Sequence, residues 1–419
     1  MVSYSLWEAA RVLHTCTSTR LVRHKRSERT TYSADPNPKG TNARSPADDG
    51  EWQSILIWSG ENYRAVFLLG AGATRGAVRH VVVNNKQLRP PLNGDFFRVA
   101  NTFVRSHAHK SAIADRLERV RKVFVDEFPT RGKWPLPMET AFSLLYVSKD
   151  FPEIYAAKRG RRRKAGARKE IEDFLRLTFG ILSTIESHAV GTNGYAQLVS
   201  VVRPEDTVIT LNYDTLLDSE LVKAGWNPHY GYDLLGTPDK VKWQMIRPAW
   251  QPNLDRVRLL KLHGSLNWYI RGSYDHLNKI FDAKPTKVLI SKRPRTNELR
   301  GHIRQIVPPV YGKFFNNPHW RQLWRHAYEA MVQADLIVVV GCSLADTDFH
   351  LTGMLSHAVM EKKNRHKKFA RSILVDSVKV RRKWEALLKG CVASKTVFHR
   401  FEDFSKRLSQ RRGDETGDG

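Results

Sequence analysis

Five short apolar runs punctuate the chain, each closing on a glycine or a small polar residue: RAVFLLG (64–70), TVITLN (207–212), RLLKLHG (258–264), LIVVVG (336–341) and SILVD (372–376). Runs of this length without polar alternation predict strands buried on both faces, as in a parallel sheet. Helical periodicity lies between several of them, as in KEIEDFLRLTFGILSTIESHA (169–189) and HWRQLWRHAYEAMVQAD (319–335). Strands alternating with helices predict a Rossmann-like, doubly wound α/β fold with a mostly parallel sheet. Residues 71–206 separate the first two runs, far more than a crossover needs. Their mainly helical periodicity predicts a large helical insertion over about residues 98–205.

The ends read differently. The first 50 residues are rich in Arg, Ser, Thr and Asn, contain DPNPKG and RSPADDG, and keep no period, so they predict a flexible basic arm. Their Arg-rich start has a transit-peptide flavour, but MVSYSLWEAARVL lacks the apolar stretch of a secretory signal. Residues 51–400 form the expected catalytic domain, and 401–419 a C-terminal helix with a polar tail.

Composition narrows the classes. Of 419 residues 41% are hydrophobic, enough for a core, yet no apolar run reaches the roughly 20 residues that span a bilayer. A membrane role is therefore not expected. Cys16, Cys342 and Cys391 are too few and too scattered for a disulfide framework or a four-cysteine zinc site, which favours a reducing cytoplasm and no bound metal. The net charge of +27 is concentrated in KRGRRRKAGARK (158–169), with eight basic residues of twelve, and in KKNRHKKFAR (362–371), with six of ten. Each run fits either a solvated loop or a surface that contacts nucleic-acid phosphates.

Candidate chemistry gathers at the carboxyl ends of the runs, where open α/β sheets bind ligands. The first ends in GAGATRGA, with Gly70, Ala71, Gly72 and Thr74. Glycines there allow a sharp turn and close approach to a pyrophosphate. The spacing is GxGxxxG rather than GxGxxG, and RPP (89–91) stands where a dinucleotide-binding acidic residue is expected, which disfavours an ordinary dehydrogenase. The second run leads into NYD, with Asn212 and Asp214; Asp214 or Thr215 could equally cap the next helix. The third places His263 in KLHGS, and the fourth adds Gly341 and Ser343 in GCSLADTD. A lone strand-end histidine is more often structural than catalytic. Several strand ends carrying a glycine turn, an asparagine and a histidine together point to a site.

Taken in this order, GAGAT, TLNYD, KLHGS and GCSLADTD resemble the sirtuin-like domains of bacterial NAD hydrolases that act in antiviral defence, over roughly residues 60–380. The resemblance implies that Gly70, Ala71, Gly72 and Thr74 hold the NAD pyrophosphate, that Asn212 lies beside the nicotinamide ribose, that His263 is the base, and that Gly341 and Ser343 contact the adenosine half. Asp214 joins them at the strand end. PPLNGDFF (90–97) stands where a deacylase carries GIPDFR, which brings Asp95 near the cofactor, and VDS (375–377) makes Asp376 a contact of the adenine ribose. No cysteine lies between His263 and Cys342, so the paired CxxC zinc ribbon of the deacylases is missing.

The implied reaction breaks the bond between nicotinamide and ribose. Asn212 would orient water or a ribose hydroxyl, and His263, an imidazole with an ordinary pKa of about 6.5, would accept its proton. NAD is then the substrate, and nicotinamide and ADP-ribose the products. Two other readings stay open: an NAD-dependent deacylase or ADP-ribosyl transferase using the same pocket, and a non-catalytic module binding nucleotide and nucleic acid. Because unrestrained NAD cleavage is toxic, control by a partner, an oligomer or a ligand is expected; the candidates are a nucleic-acid or protein trigger acting through 158–169 or 362–371, and a homo-oligomer.

Overall fold

The computed structural model describes residues 63–106, 112–127, 135–150, 168–226, 242–245, 257–271, 287–291, 301–310, 318–346 and 348–414. The N-terminal arm and residues 158–167 of the first basic run lie outside them.

All five apolar runs are strands of one sheet: β1 (Ala65–Leu69), β5 (Thr207–Thr210), β7 (Arg258–Lys261), β11 (Leu336–Val340) and β12 (Phe369–Val375). A sixth, β13 (Val392–Phe398), completes the order β7-β5-β1-β11-β12-β13, and every pairing in it is parallel. Every residue of β1 and β11 is buried. The chain fills the β5 and β7 positions on one side of β1 and then returns to build β11, β12 and β13 on the other. This is the Rossmann-type strand order, and its direction reverses between β1 and β11. Around the sheet, α8 (Pro318–Gln333), α9 (Phe349–Asn364) and α10 (Val378–Leu388) pack in one group. The helices α1 (Ala71–Ala77), α6 (Asn193–Val199), α7 (Leu216–Lys223) and α11 (Phe401–Asp414) pack in another.

Between β1 and β5 the chain forms α1, a hairpin of β2 (His80–Val83) and β3 (Lys86–Leu88), then α2 (Phe96–Ser106), α3 (Ala112–Glu127), α4 (Met138–Asp150), α5 (Arg168–Ser187), β4 (Ala189–Val190) and α6. The hairpin turns on Asn84 and Asn85, both at positive φ (47° and 62°), the backbone that a two-residue primed turn demands. Phe97, Phe142 and Phe174 join α2, α4 and α5, with ring centroids 5.3 Å (Phe97–Phe174) and 5.1 Å (Phe142–Phe174) apart. Arg119 of α3 grips Asp173 of α5 through two bonds of 2.7 and 2.8 Å. These contacts seat α5 so that its last turn reaches the carboxyl edge of the main sheet.

A second, mixed sheet has the order β10-β8-β9-β6, from β6 (Lys242–Met245), β8 (Gly264–Arg271), β9 (Lys287–Ile290) and β10 (His302–Ile306). The chain passes into it from β7 at Gly264, whose φ of +82° only glycine adopts without strain. The glycine of KLHGS is therefore the corner between two sheets, and His263 is the residue just before that corner.

The second basic run needs a correction. Lys362 is 2% exposed, and its Nζ donates to the carbonyls of Val332 (3.1 Å) and Ala334 (2.5 Å) and sits over the Phe369 ring. It ties α9 to the end of α8 and is no part of a phosphate-facing surface. Lys363, Arg365, Lys367 and Lys368 are exposed. Among the described residues no helix is long and apolar enough to cross a membrane, and no cluster of three or more His, Cys, Asp or Glu could hold a metal.

Candidate active site

A cavity of about 610 Å³ opens at the carboxyl ends of β1, β5, β7 and β11, around the point where strand order reverses. Its walls include Gly70, Ala71, Gly72 and Thr74 after β1, Asn212 and Asp214 after β5, His263 after β7, Gly341 and Ser343 after β11, and Asp376 after β12. Of the residues singled out in the sequence, only Asp95 is not on the wall. Its carboxylate is held by Arg75 (2.6 Å), Arg98 (3.1 Å) and the Leu92 N–H (2.7 Å). Burial pushes that carboxyl up, but the Leu92 N–H and the two arginines outweigh it and keep it below the usual carboxylate range. Asp95 thus shapes the turn whose Pro90, Leu92, Asn93 and Gly94 line the cavity. Asn93 in turn clips that turn to the start of α4, accepting from Glu139 N at 2.8 Å.

The glycines answer to packing before they answer to any ligand. Gly70 N donates to Val340 O, and Gly72 N to Gly341 O, both at 3.0 Å. A Cβ on Gly70 would stand 2.4 Å from Gly341 O, and one on Gly341 would stand 2.1 Å from Ala73 N. Gly341 also has φ +58°. The turns after β1 and β11 are pressed backbone to backbone, so only glycines let the two central strands end side by side.

Asn212 is bound into that floor. Its Nδ2 donates to Gly70 O and to Thr74 Oγ1, both at 2.9 Å. Thr74 gives its proton to Asp214 Oδ2 (2.9 Å) and also meets Tyr195 Oη (2.7 Å). The amide donors of Asn212 are therefore spent, and its carbonyl oxygen is the atom left to accept from a ligand. Asp214 both bonds to the start of α7 and stands on the cavity wall. Its Oδ1 accepts from Leu216 N (3.2 Å) at the start of α7, and its side chain lines the cavity. Below it, Lys261 is 0% exposed and donates to Asp214 O (2.5 Å) and Asp218 Oδ2 (3.0 Å).

Glu186, at the end of α5, lies in the helical stretch 169–189 and was not singled out in the sequence. It lines the cavity and accepts from both the backbone N–H (3.0 Å) and the hydroxyl of Thr215, the N-cap of α7. Burial and the nearby charge of Asp214 raise its carboxyl from 4.5 to about 7. Burial likewise raises Asp214, against the pull of Lys261. One of the polar groups lining the cavity is thus an acid poised near neutrality. Nothing local in the sequence announces it, because its burial is created by packing against the β5–α7 turn.

His263 stands at the end of β7, the strand paired with β5, at the position corresponding to Asn212. Its ring is flanked by Tyr213 and Trp324, with centroids 6.4 and 6.3 Å away. Val307 N donates to His263 O (2.8 Å) and Tyr213 Oη donates to Val307 O (2.7 Å), so β10 braces the corner. Nε2 lies 3.4 Å from Asp348 Oδ2. Asp348 belongs to the GCSLADTD motif but was not singled out there; an aspartate just before an apolar helix carries the signature of an N-cap. After β11, burial pushes the Cys342 thiol up to about 12, and its carbonyl accepts from Trp384 Nε1 (2.8 Å). Ser343 is exposed and Asp376 half-buried at the rim, the latter accepting from Ser377 N (2.6 Å).

Residues 206–389 match the family of SIR2-like domains. The match includes Asn212, Asp214, His263, Gly341, Ser343 and Asp376, and leaves the Gly70–Thr74 turn outside it. No curated protein matches the chain. Among solved structures, a Sir2 mutant with a p53 peptide and NAD shares 13% identity and a TM-score of 0.36, over 86% of this chain and 98% of that one. Sir2Tm bound to a propionylated peptide shares 14% identity and a TM-score of 0.32, over 87% and 99%. At TM-scores this low these likenesses decide neither fold nor chemistry. Strand order describes an α/β chain with a Rossmann-type parallel sheet, and residues 206–389 are similar to SIR2-like domains.

Proposed function

We propose that the protein is an NAD glycohydrolase that cleaves the nicotinamide–ribose bond to give nicotinamide and ADP-ribose. The observation that supports this most is the meeting, around one cavity at the strand-order reversal, of the Asn212 carbonyl, His263 and the interlocked glycine turns. In the proposed reaction the glycosidic bond breaks as the ribose gains oxocarbenium character, and nicotinamide leaves as a neutral molecule without an acid. Water oriented by Asn212 Oδ1 adds to the ribose carbon, and His263 takes its proton. NAD and water are consumed, and nicotinamide, ADP-ribose and a proton are released.

The roles of the surrounding residues follow. Gly70, Ala71, Gly72 and Thr74 bring backbone close to the pyrophosphate, and Gly341, Ser343 and Asp376 face the adenosine half. Asp214 and Glu186 form the polar end where nicotinamide would sit. At neutral pH Glu186, with its carboxyl near 7, can donate to a carboxamide oxygen. Peptide deacylation lacks support because no cysteine between His263 and Cys342 could build a zinc ribbon. The likeness of the four motifs to antiviral NAD hydrolases makes a regulated, NAD-depleting effector the cellular role we propose.

The test is incubation of purified full-length protein with NAD, with and without added nucleic acid, followed by chromatography of the products. Equimolar nicotinamide and ADP-ribose are expected. Nicotinamide release that requires an acylated peptide or ends in ADP-ribosylated acceptor would replace the reading with its transferase rivals. Stable NAD binding with no release under either condition would make the chain a binding module.

A further inference from the structure

The two edges of the main sheet carry opposite charge. At the carboxyl ends, the cavity is lined by five carboxyl side chains and, among the described residues, by no lysine or arginine. At the amino ends the cations gather. β12 and β13 start side by side, with Phe369 N bonded to Cys391 O (2.8 Å). Lys367 and Lys368 stand just before β12, and Lys389 follows the end of α10 just before β13. Lys363, in the last turn of α9, lies with its Nζ 3.9 Å from where a Cβ on Gly390 would stand. Burial raises the Cys391 thiol and the charges of Lys362, Lys363 and Lys368 pull against it, so these cations surround the start of β13. The row continues along the sheet. Ala370 N bonds to Asp335 O and Asp335 N to Arg64 O, both at 2.8 Å, which carries the edge from β12 past β11 to β1. Beyond β5, Arg258 opens β7, and Arg64 and Arg258 both line a hollow of about 250 Å³.

Helix ends account for only part of this. A lysine in or just after the last turn of a helix complements its dipole, which covers Lys363 and Lys389. Lys367, Lys368, Arg64 and Arg258 stand at strand starts, where no such need exists. The local carboxylates are engaged elsewhere: Asp335 Oδ2 accepts from Arg64 N, Asp206 from Ala65 N and Arg203 N, Glu205 pairs with Arg203, and Glu361 with Arg365. Among the described residues, none of these six cationic side chains has a carboxylate within ion-pair distance. We propose that this amino-end edge binds the phosphate backbone of double-stranded nucleic acid without reading its sequence. Six strands at a spacing of about 4.8 Å spread the cations over about 24 Å. That length of duplex presents about 14 phosphate charges. Of the exposed large hydrophobics from α9 to β13, Phe349, Val378 and Val397 lie toward the cavity edge, and only Met360 lies near the lysines. A membrane or a protein partner draws on apolar anchors that this edge lacks, whereas a phosphate backbone needs only clustered cations. The cavity lies at the opposite edge, so the surface is compatible with the glycohydrolase reading and does not depend on it.

The experiment titrates a fluorescein-labelled DNA duplex of about 20 bp with full-length protein, reading anisotropy from about 50 to 300 mM salt. The parent is compared with an edge variant carrying Arg64→Gln, Lys363→Gln, Lys367→Gln, Lys368→Gln and Lys389→Gln. A control carries Arg105→Gln, Lys122→Gln, Lys379→Gln, Arg400→Gln and Lys406→Gln, losing the same charge from exposed positions elsewhere. The parent should bind with a Kd of about 1–100 μM near physiological salt. The edge variant should lose about tenfold or more in affinity. Its slope of log K against log salt should flatten by about 4, since each lost phosphate contact contributes about 0.9. The control should stay within about threefold of the parent, and melting midpoints should agree within about 3 °C across the three. Should the edge variant unfold, Lys367→Gln with Lys368→Gln carries the same test with a flattening of about 2. Equal losses in the edge variant and the control would mean that binding follows net charge alone, and an edge variant that binds like the parent would place the contacts elsewhere; either result overturns the proposal. So does a parent that binds no duplex, or one that binds anionic lipid vesicles more tightly through the same five residues. A parent that releases no nicotinamide while these binding losses appear would end the glycohydrolase reading and leave the surface assigned.

Discussion

The two walls of the cavity are built on different principles. At the ends of β1, β5 and β11, nearly every polar group named above is bonded to another part of the frame: Asn212 to Gly70 and Thr74, Thr74 to Asp214, Asp214 to the start of α7, and Gly72 to Gly341. At the end of β7, His263 is flanked by aromatic rings with Asp348 3.4 Å from its Nε2. The first wall is architecture that can also bind a ligand, and the second holds a titratable group in place. Substitutions on the first wall should therefore register in stability as well as activity, and those on the second mainly in activity.

The strongest test of the first wall is Gly341→Ala. The added methyl would need to occupy space 2.1 Å from Ala73 N and 2.2 Å from Gly72 C, on a backbone at φ +58°. The cost is on the order of 3 kcal/mol or more, because rigid backbone and not a flexible side chain must give way. The expected result is loss of soluble folded protein, or a melting midpoint lowered by well over 5 °C. A well-folded Gly341→Ala protein would show that the two turns are not the joint they are described to be.

The second wall is tested by His263→Gln, which keeps much of the volume and one hydrogen-bonding end but cannot act as a base. Nicotinamide release should fall by about 10²- to 10⁴-fold, the range a positioned general base supplies. The melting midpoint should shift by no more than about 3 °C. A large loss of stability with residual activity near that of the parent would reverse the contrast between the walls.

How much of this was legible in the sequence follows from the same physics. β1, β5, β7, β11 and β12 announced themselves because parallel strands buried on both faces are continuous apolar runs. β13 did not, since VASKTVF lies at the sheet edge with most of its residues partly or fully exposed. The small sheets were also hidden: β8 reads GSLNWYIR, and its buried Ser265 Oγ and Asn267 Nδ2 donate to carbonyls far along the chain, Tyr213 O and Ser291 O. Strand ends led to Asn212 and His263, since a doubly wound sheet brings its carboxyl ends together. Asp348 and Glu186 could not be found that way. Each meets a partner distant in sequence, His263 for Asp348 and Thr215 for Glu186, and each looks locally like a helix cap or a surface charge. Lys362 misled in the opposite direction, because a buried lysine among basic neighbours has the same local pattern as an exposed one.

Asn212→Ala should expose the double role of the first wall. Removing the amide leaves Gly70 O and Thr74 Oγ1 short of a donor in a buried place, at a cost of about 1–3 kcal/mol. Activity and melting midpoint should therefore fall together, unlike His263→Gln. If Asn212→Ala abolishes turnover and melts like the parent, the bonds to Gly70 and Thr74 contribute little and the asparagine belongs with the second wall.

The smallest effect concerns Glu186 and has a defined sign with pH. Its carboxyl is raised by burial, and further by Asp214, from 4.5 to about 7, so the fold favours its neutral form. That preference contributes stability fully below pH 4.5. It is lost as the pH rises through about 7, since the unfolded chain releases the proton first. Asp214, also raised by burial, shares the same environment, and the two titrate as a pair with Lys261 beneath them. Glu186→Gln keeps an acceptor for Thr215 and cannot ionise, so it should match the parent near pH 5. At pH 8 it should exceed the parent by about 1 kcal/mol, seen as a smaller drop in melting midpoint between the two values. Equal pH dependence in the two proteins would mean that Glu186 is ionised without penalty in the fold, and that of the two carboxyls only Asp214 is raised by burial.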